Sequence, residues 1–227
     1  MIYQFLVLGV VIEELDDEYN IRSIEYHGFT SKRKLESSQI LYYNNKDYNT
    51  DYAKYQWMCD NIVNWCKDCE YIAIEDYAYG KSGAMGLIFN VAEFSGNVKI
   101  SLFNAGKNLR TYSINQIKKF FTAFGLSDKI SMYQAWEKMT TTKPDLSCLP
   151  EVDNGKGVSP TSDIVDAFAV CEYLRTELTL RAGIIQLKDL PKYKIECFNA
   201  ITREHPEGLL VAPFIHKWTN QLLNCNA

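Results

Sequence analysis

The sequence predicts a mixed α/β fold, for three reasons. Apolar runs separated by polar turns fill the first forty residues, and strand-like and helix-like segments alternate after them. The composition is 47% hydrophobic and 23% charged over 227 residues, which supplies enough apolar surface for a sizeable core. A polar tail with short apolar runs follows the last long helical pattern. We therefore expect one α/β domain over residues 1–183 and a small C-terminal appendage over residues 184–227.

The N-terminal part is predicted to hold three strands, a helix and a fourth strand. The first three strands are FLVLGVVIEE, IRSIEYHGF and SQILYY, which alternate with polar turns and indicate an antiparallel meander. Residues 51–69 place apolar side chains at three- and four-residue steps, the pattern of a helix with one apolar face. The short run YIAIE then forms a strand that ends on Glu75 and is followed by Asp76.

The remaining elements are predicted mainly as helices. GAMGLIFNVAEFSGNV fits a helix that closes near Gly96, and VKISLFNA fits a short strand. SINQIKKFFTAFG begins with Ser113, a suitable N-cap, and DKISMYQAWEKM fits a second helix. Residues 140–160 lack periodicity and form a loop, after which SDIVDAFAVCEYLRTEL is a strong helix. The apolar runs IIQL and IECFNAI suggest strands in the appendage.

Several classes of protein are excluded by composition. The apolar run Phe5–Ile12 is too short to span a bilayer and lacks the flanks of a signal peptide, so an intracellular, cytoplasmic protein without a membrane partner is expected. Seven scattered cysteines give no disulfide framework. Cys66 and Cys69 form a single C-x-x-C without a second ligand pair, and are interpreted as thiols on an amphipathic helix. The net charge of −4 is unlike that of a histone-like binder.

Three acidic residues form a candidate metal site. Asp163 and Asp166 are three residues apart on the predicted helix, which places their Cβ atoms about 5–6 Å apart on one face. The alternative is that Ser162 or Asp163 caps the helix start. Glu75 stands at a strand end, where a carboxylate can be held for chemistry. Together the three carboxylates can bind hard divalent cations, and a pair of such ions hydrolyses phosphodiesters.

A basic segment accompanies these acids. Between residues 96 and 143 the chain has eight basic and two acidic residues, although its overall charge is −4. Such a segment beside a carboxylate cluster suits the binding of a polyanion such as DNA. A solvated helix face is the alternative for about half of the lysines. The candidate phosphate contacts are Lys107, Arg110, Lys118, Lys119 and Lys129.

Three blocks of the sequence resemble the RuvC-like Holliday-junction resolvases, particularly the phage- and virus-type members, of the RNase H-like superfamily. IAIEDYAYG resembles the second acidic strand of the family, SINQIKKFFTAFGLSDKISM its lysine-bearing helix and turn, and SDIVDAFAVCEYL its terminal acidic helix. The resemblance implies a mixed five-stranded sheet flanked by helices and a homodimer on four-way DNA junctions. It also implies Mg²⁺- or Mn²⁺-dependent cleavage by two ions per site, with Glu75, Asp163 and Asp166 as ligands.

The first strand departs from the family pattern. The family opens with a strand that ends in an aspartate, whereas LGVVIEELDDEYNIRSIEYHGF resembles its second and third strands and no aspartate precedes it. Three explanations stay open. The first strand is missing from this chain; or Glu13, Glu14, Asp16 or Asp17 replaces the aspartate; or the protein binds junctions without cutting them efficiently.

Three functions are compatible with these patterns. The first is a divalent-metal-dependent, structure-selective endonuclease that resolves four-way or other branched DNA, in the host cytoplasm if the chain is viral. The second is a non-catalytic protein on the same scaffold that binds branched DNA or acts in an assembly. The third is a related nuclease that acts on flaps or on RNA–DNA hybrids, which sequence does not separate from the first.

Overall fold

The chain folds as two small β-sheets between two layers of helices, in a computed structural model that describes residues 9–76, 85–150 and 157–204. Five strands are formed: β1 (Gly9–Leu15), β2 (Ile21–Thr30), β3 (Ile40–Tyr42), β4 (Tyr71–Glu75) and β5 (Asn108–Tyr112). Six α-helices accompany them: α1 (Asp51–Trp65), α2 (Met85–Asn104), α3 (Ile114–Thr122), α4 (Lys129–Lys138), α5 (Thr161–Arg181) and α6 (Lys192–Glu204). The predicted mixed α/β class is confirmed.

The strands pair as a three-stranded sheet, β1-β2-β3, and a two-stranded sheet, β4-β5. β1 and β2 are antiparallel, as predicted, and β4 runs parallel to β5 with Glu75 opposite Tyr112. The single five-stranded sheet expected from the resemblance is not formed, since no ladder joins the two sheets within the described residues. Helix α5 packs against both β1 and β4, and so spans the two sheets.

Alternating side chains place a core on each face of the sheets. Val11 of β1 and Ala73 of β4 point into a core shared with α3, α4, α5 and α6. Their neighbours Val10 and Ile72 point into a second core shared with α1 and α2. Period-two alternation in strands with helices on both sides produces this arrangement.

Three predictions about the elements were wrong. β3 is parallel to β2 rather than part of an antiparallel meander, because the connection from residue 31 to 39 contains a 3₁₀ turn and returns the chain to the same end. Helix α2 continues through Gly96 and includes the predicted strand VKISLFNA, since Phe94, Val98 and Leu102 bury one face at four-residue steps. A helical glycine costs only about 1 kcal/mol, which this burial outweighs.

The third wrong prediction concerns the appendage, where IECFNAI belongs to α6 rather than to a strand. Pro191 directly precedes the helix, a position that suits a helix start. Cys197 and Phe198 are buried on one face of α6, and Phe198 meets Phe120 of α3 edge to face at 6.1 Å. The described part of the tail therefore packs into the main core. Residues 205–227, with His205 and His216, lie outside the described residues.

A buried ionic network ties α5 to β5. Glu177 is completely buried and accepts hydrogen bonds from Arg110 Nε at 3.0 Å and from the Tyr112 hydroxyl at 2.7 Å. Its other oxygen accepts from Arg181 Nε at 2.9 Å and Nη2 at 2.7 Å. Burial and the negative charge of Glu177 raise the pKa of Tyr112, which keeps its hydroxyl a donor. The network fixes the sheet edge that carries Glu75 relative to α5.

Gly9 permits a close contact between β1 and α5. A Cβ atom at this position would lie 2.5 Å from the carbonyl oxygen of Asp163 and 2.6 Å from the nitrogen of Ile164. Both partners are helix backbone and cannot turn away. Gly9 therefore sets the distance between β1 and the start of α5.

Gly9→Ala is expected to lower the free energy of unfolding by about 1–3 kcal/mol, the usual cost of overpacking. Urea denaturation measures it. Gly125→Ala is the matched control, because its Cβ would lie 3.1 Å from a single carbonyl oxygen, that of Asn115, and a small adjustment suffices. Equal losses for the two variants would show that the contact with α5 is not tight.

Candidate metal centre

The start of α5 carries the two aspartates of the candidate site. The helix begins at Thr161 after Pro160, and no side chain caps it. Asp163 instead accepts a hydrogen bond at Oδ1 from Lys129 Nζ at 2.6 Å, so the capping role considered for it is not observed. The same ammonium lies 3.7 Å from Oδ2 of Asp166. One cation thus bridges the two carboxylates that the i, i+3 spacing brought together.

Lys129 contacts Ser162 and Gly157 in addition to the two aspartates. It is the first residue of α4, where Asp128 accepts from the Ser131 N–H as the N-cap. Its ammonium also donates to Ser162 Oγ at 3.1 Å. Its aliphatic stem packs on Gly157, where a Cβ atom would lie 2.5 Å from Lys129 Cδ. Burial by itself lowers the pKa of Lys129, but the Asp163 and Asp166 carboxylates outweigh it and raise the pKa above its ordinary value.

Glu75 joins this group from the end of β4. Desolvation, followed by the negative charge of Asp166, raises the pKa of Glu75 to about 7, against the opposing charges of Lys118 and Lys129. Glu75 is exposed at the strand end, so solvent screens part of these charge effects. The parallel register places Glu75 opposite Tyr112, next to the start of α3, which brings Lys118 within electrostatic reach.

The carboxylates of Glu75, Asp163 and Asp166 repel one another. Desolvation and then the charge of Asp163 raise the pKa of Asp166 to about 6, although Lys129 and Lys118 both act to lower it. Two ammonium groups therefore compensate three carboxylates only in part. A divalent cation would relieve the remaining repulsion, as protonation does.

The donor set fits a hard divalent ion in its chemistry. All three acids offer oxygen ligands, and Asp163 Oδ2 is buried without a hydrogen-bond partner among the described residues. As they stand, no three acidic, histidine or cysteine side chains of the described chain are arranged to hold a metal. The Lys129 ammonium lies where a cation between Asp163 and Asp166 would lie, so an ion would have to displace it.

The other basic candidates lie elsewhere. Lys119 is paired with Glu196 of α6 at 2.6 Å. Arg110 is 4% exposed and belongs to the Glu177 network, so we leave it out of the proposed DNA contacts. Lys107 donates to the backbone oxygen of Cys69 at 2.9 Å, at the end of β4 away from Glu75. The structure thus gathers Lys118 and Lys129, and not the other three, around the acids.

The four acids considered as replacements for a first-strand aspartate do not lie beside Glu75. Glu13 is buried against α5, with Oε2 3.4 Å from Arg175 Nε, and burial followed by the charge of Glu172 raises its pKa to about 7. Glu14 accepts from Ser23, and Asp16 accepts from the backbone of the following turn, which also contains Asp17. Within the described residues, the site has three carboxylates.

Sequence reasoning did not predict that Gly157 and Ser162 contact Lys129. Both lie in or next to the polar loop that precedes α5, and this position was the only signal for them. No spacing rule connects a residue of this loop to Lys129, because α4 is distant in the sequence.

Stability without divalent ions is expected to fall between about pH 5 and pH 8. Glu75 and Asp166 have pKa values of about 7 and about 6 when folded, above their ordinary 4.5 and 3.8. The folded chain therefore binds more protons than the unfolded chain in this interval. The stability from protonation is full below about pH 4 and is lost as pH rises through the folded values.

Urea denaturation across this interval, in buffer with a chelator, measures the effect. The Glu75→Gln/Asp166→Asn double variant should show a shallower dependence on pH. A residual slope should remain, because the pKa of Glu13 is also raised to about 7. A slope unchanged in the double variant would contradict the raised pKa values.

The comparisons with known proteins do not assign this chain to a family or a function. No protein-family model and no curated protein matches the sequence. Among solved structures, Thermus thermophilus RuvC matches with a TM-score of 0.42 and 16% identity over 78% of this chain and 89% of that chain. T. thermophilus RuvC in complex with a Holliday junction substrate matches with a TM-score of 0.40 and 11% identity, over 72% and 81% of the chains. No described helix is long and apolar enough to cross a membrane. Function is therefore inferred from the carboxylate and lysine cluster.

Proposed function

We propose that the chain is a divalent-metal-dependent endonuclease that acts on branched DNA, with four-way junctions as the leading substrate. The observation that supports it is the meeting of Glu75 from β4 with Asp163 and Asp166 from α5, beside Lys118 and Lys129. These residues come from four elements, β4, α3, α4 and α5. Among the possible substrates, we propose four-way junctions because three blocks of the sequence resemble RuvC-like resolvases in the same order.

Each residue has a definite role in this proposal. Asp163 and Asp166 would hold Mg²⁺ or Mn²⁺, and Glu75 would supply the third carboxylate. When bound, the ion polarises a water molecule and neutralises charge on the scissile phosphate, and two ions per site would do both together. Without an ion, the raised pKa of about 7 lets Glu75 take up a proton near neutral pH. Displaced from the aspartates, Lys129 is placed with Lys118 to bind phosphate oxygens.

A homodimer is part of the proposal, because two sites are needed to cut both strands of a junction. Each protomer would cut one strand and leave a 5′-phosphate and a 3′-hydroxyl. This part rests on the resemblance in sequence.

A panel of labelled substrates tests the choice of substrate. The full chain, with Mg²⁺ or Mn²⁺, is given a four-way junction, a flap, a linear duplex and an RNA–DNA hybrid of matched sequence. We expect cleavage of the junction near its crossover, with the linear duplex left intact. Preferential cleavage of the flap or the hybrid would support a metal-dependent nuclease and would show that the four-way junction is not its preferred substrate.

A second candidate is a non-catalytic protein that binds branched DNA. It is favoured by the position of Glu13, which faces Arg175 of α5 instead of Glu75, and by the Lys129 ammonium between the aspartates. This candidate predicts junction binding that needs no divalent ion and survives Asp166→Asn. Divalent-dependent nicking would rule it out.

Lys118→Ala is expected to weaken junction binding and to reduce the slope of log K against log salt by about one. The physical reason is the loss of one phosphate contact with its released counterion. Fluorescence anisotropy over a range of salt concentrations measures the slope. Lys188→Ala, an exposed lysine in the turn after α5, is the matched control and should leave the slope unchanged. The same slope for both variants would remove Lys118 from the interface.

A further inference from the structure

The connection between α1 and β4 contains two cysteines in a closed turn. α1 ends at Trp65, and Cys66 is its C-cap. The backbone N–H of Cys69 donates to the carbonyl oxygen of Cys66 at 3.0 Å. A turn closed in this way brings the two Cα atoms to within about 7 Å, and disulfides form at Cα separations of about 4.4–6.8 Å. Each thiol lies within electrostatic reach of the other.

The two thiols differ in accessibility and charge. Cys66 is 4% exposed and belongs to the core formed with α1 and α2, whereas Cys69 is partly accessible. Lys107 lies over the turn and donates to the backbone oxygens of Lys67 and Cys69. Interaction with the Cys66 thiol, and then the positive charge of Lys107, lower the pKa of Cys69, while interaction with Cys69 and burial raise the pKa of Cys66. Such asymmetry separates an attacking thiolate from a resolving thiol.

We propose that Cys66 and Cys69 form a redox-active dithiol that low-molecular-weight disulfides oxidise to an intramolecular disulfide. The Cys69 thiolate attacks one sulfur of the small disulfide, a mixed disulfide forms at Cys69, and one small thiolate leaves. Cys66 then loses its proton and attacks Sγ of Cys69, which expels the second small thiolate. Two protein thiols are oxidised and one disulfide is reduced to two thiols, so atoms and electrons balance.

This site is separate from the candidate metal centre. Cys69 lies two residues before Tyr71, the first residue of β4, and Glu75 is the last, so the two sites lie at opposite ends of a strand roughly 13 Å long. Oxidation would fix the C-terminus of α1 to the start of β4, and reduction would release it. The proposal does not depend on nuclease activity and stands if that activity is absent.

Oxidised glutathione is the probe. The native full chain is incubated with it, remaining thiols are alkylated, and the products are digested with trypsin and analysed by mass spectrometry. Trypsin cuts after Lys67, between the two cysteines, so a Cys66–Cys69 disulfide joins two peptides that separate on reduction. We expect this joined product, without glutathione attached, and its complete reversal by dithiothreitol.

Variants distinguish the attacking role of Cys69 from the resolving role of Cys66. Cys66→Ser should stop at a stable glutathione adduct on Cys69, and Cys69→Ser should give neither adduct nor disulfide at Cys66, which is buried. Cys148→Ser, which removes an exposed cysteine, is the control and should keep the joined product. Three results would overturn the proposal: both thiols alkylated after oxidation, a disulfide to Cys171, or the joined product in Cys66→Ser, where Cys59 would have to supply the second sulfur.

Discussion

The Asp166→Asn variant is expected to lose junction cleavage by more than about a hundredfold while folding at least as stably as the wild type. Residues that merely orient metal ligands typically cost 10–100-fold when changed, and a ligand should cost more. Stability should not fall, because the pKa of Asp166 is raised to about 6 and its charged form is therefore disfavoured in the fold at neutral pH.

Single-turnover cleavage measures the loss of activity, and thermal unfolding of the same preparation measures the stability. Asp60→Asn on the exposed face of α1 is the matched control and should cut at the wild-type rate. Loss of activity together with loss of fold would point to a structural role for Asp166. Retained cleavage by a folded variant would remove Asp166 from the metal site.

The Glu177→Gln variant is expected to lower the free energy of unfolding by about 3–5 kcal/mol, the usual effect of breaking a buried ion pair. Glu177 is completely buried, and the substitution removes the carboxylate charge that faces the buried Arg110. An amide also offers one acceptor oxygen in place of two, while three donor side chains converge on the carboxylate.

Urea denaturation compares this variant with Glu196→Gln. Glu196 makes an ion pair at the surface with Lys119, and solvent screens such pairs, so this control should unfold close to the wild-type midpoint. Similar midpoints for the two variants would show that the Glu177 network adds little to stability.

Elements with strong local signals were predictable from the sequence. Ser113 caps α3 by accepting from the Gln116 N–H, as its position before a helical pattern indicated. Helix α5 follows its periodic run closely. The meeting of Glu75 with Asp163 and Asp166 agrees with the arrangement that strand-end and i, i+3 positions suggested, and their role as metal ligands stays a prediction.

Features that depend on tertiary contacts were not predictable. In the sequence, Arg110 cannot be told from an exposed basic residue of the same segment. Its burial becomes evident only when Glu177 of α5 is placed against it. Gly96 looked like a helix end because the burial of α2 on both sides of it is a property of the packed core. Pairing of β3 with β2 depends on the path of a nine-residue connection, which local propensity does not determine.

The most direct test of the central claim is Mg²⁺-dependent nicking of a synthetic four-way junction by the intact chain and by Glu75→Gln. Nicks near the crossover are predicted for the wild type with Mg²⁺, none with a chelator, and a loss of more than about a hundredfold for Glu75→Gln. Absence of cleavage by the intact chain, together with unchanged junction binding and stability of Glu75→Gln, would contradict a metal centre at these carboxylates.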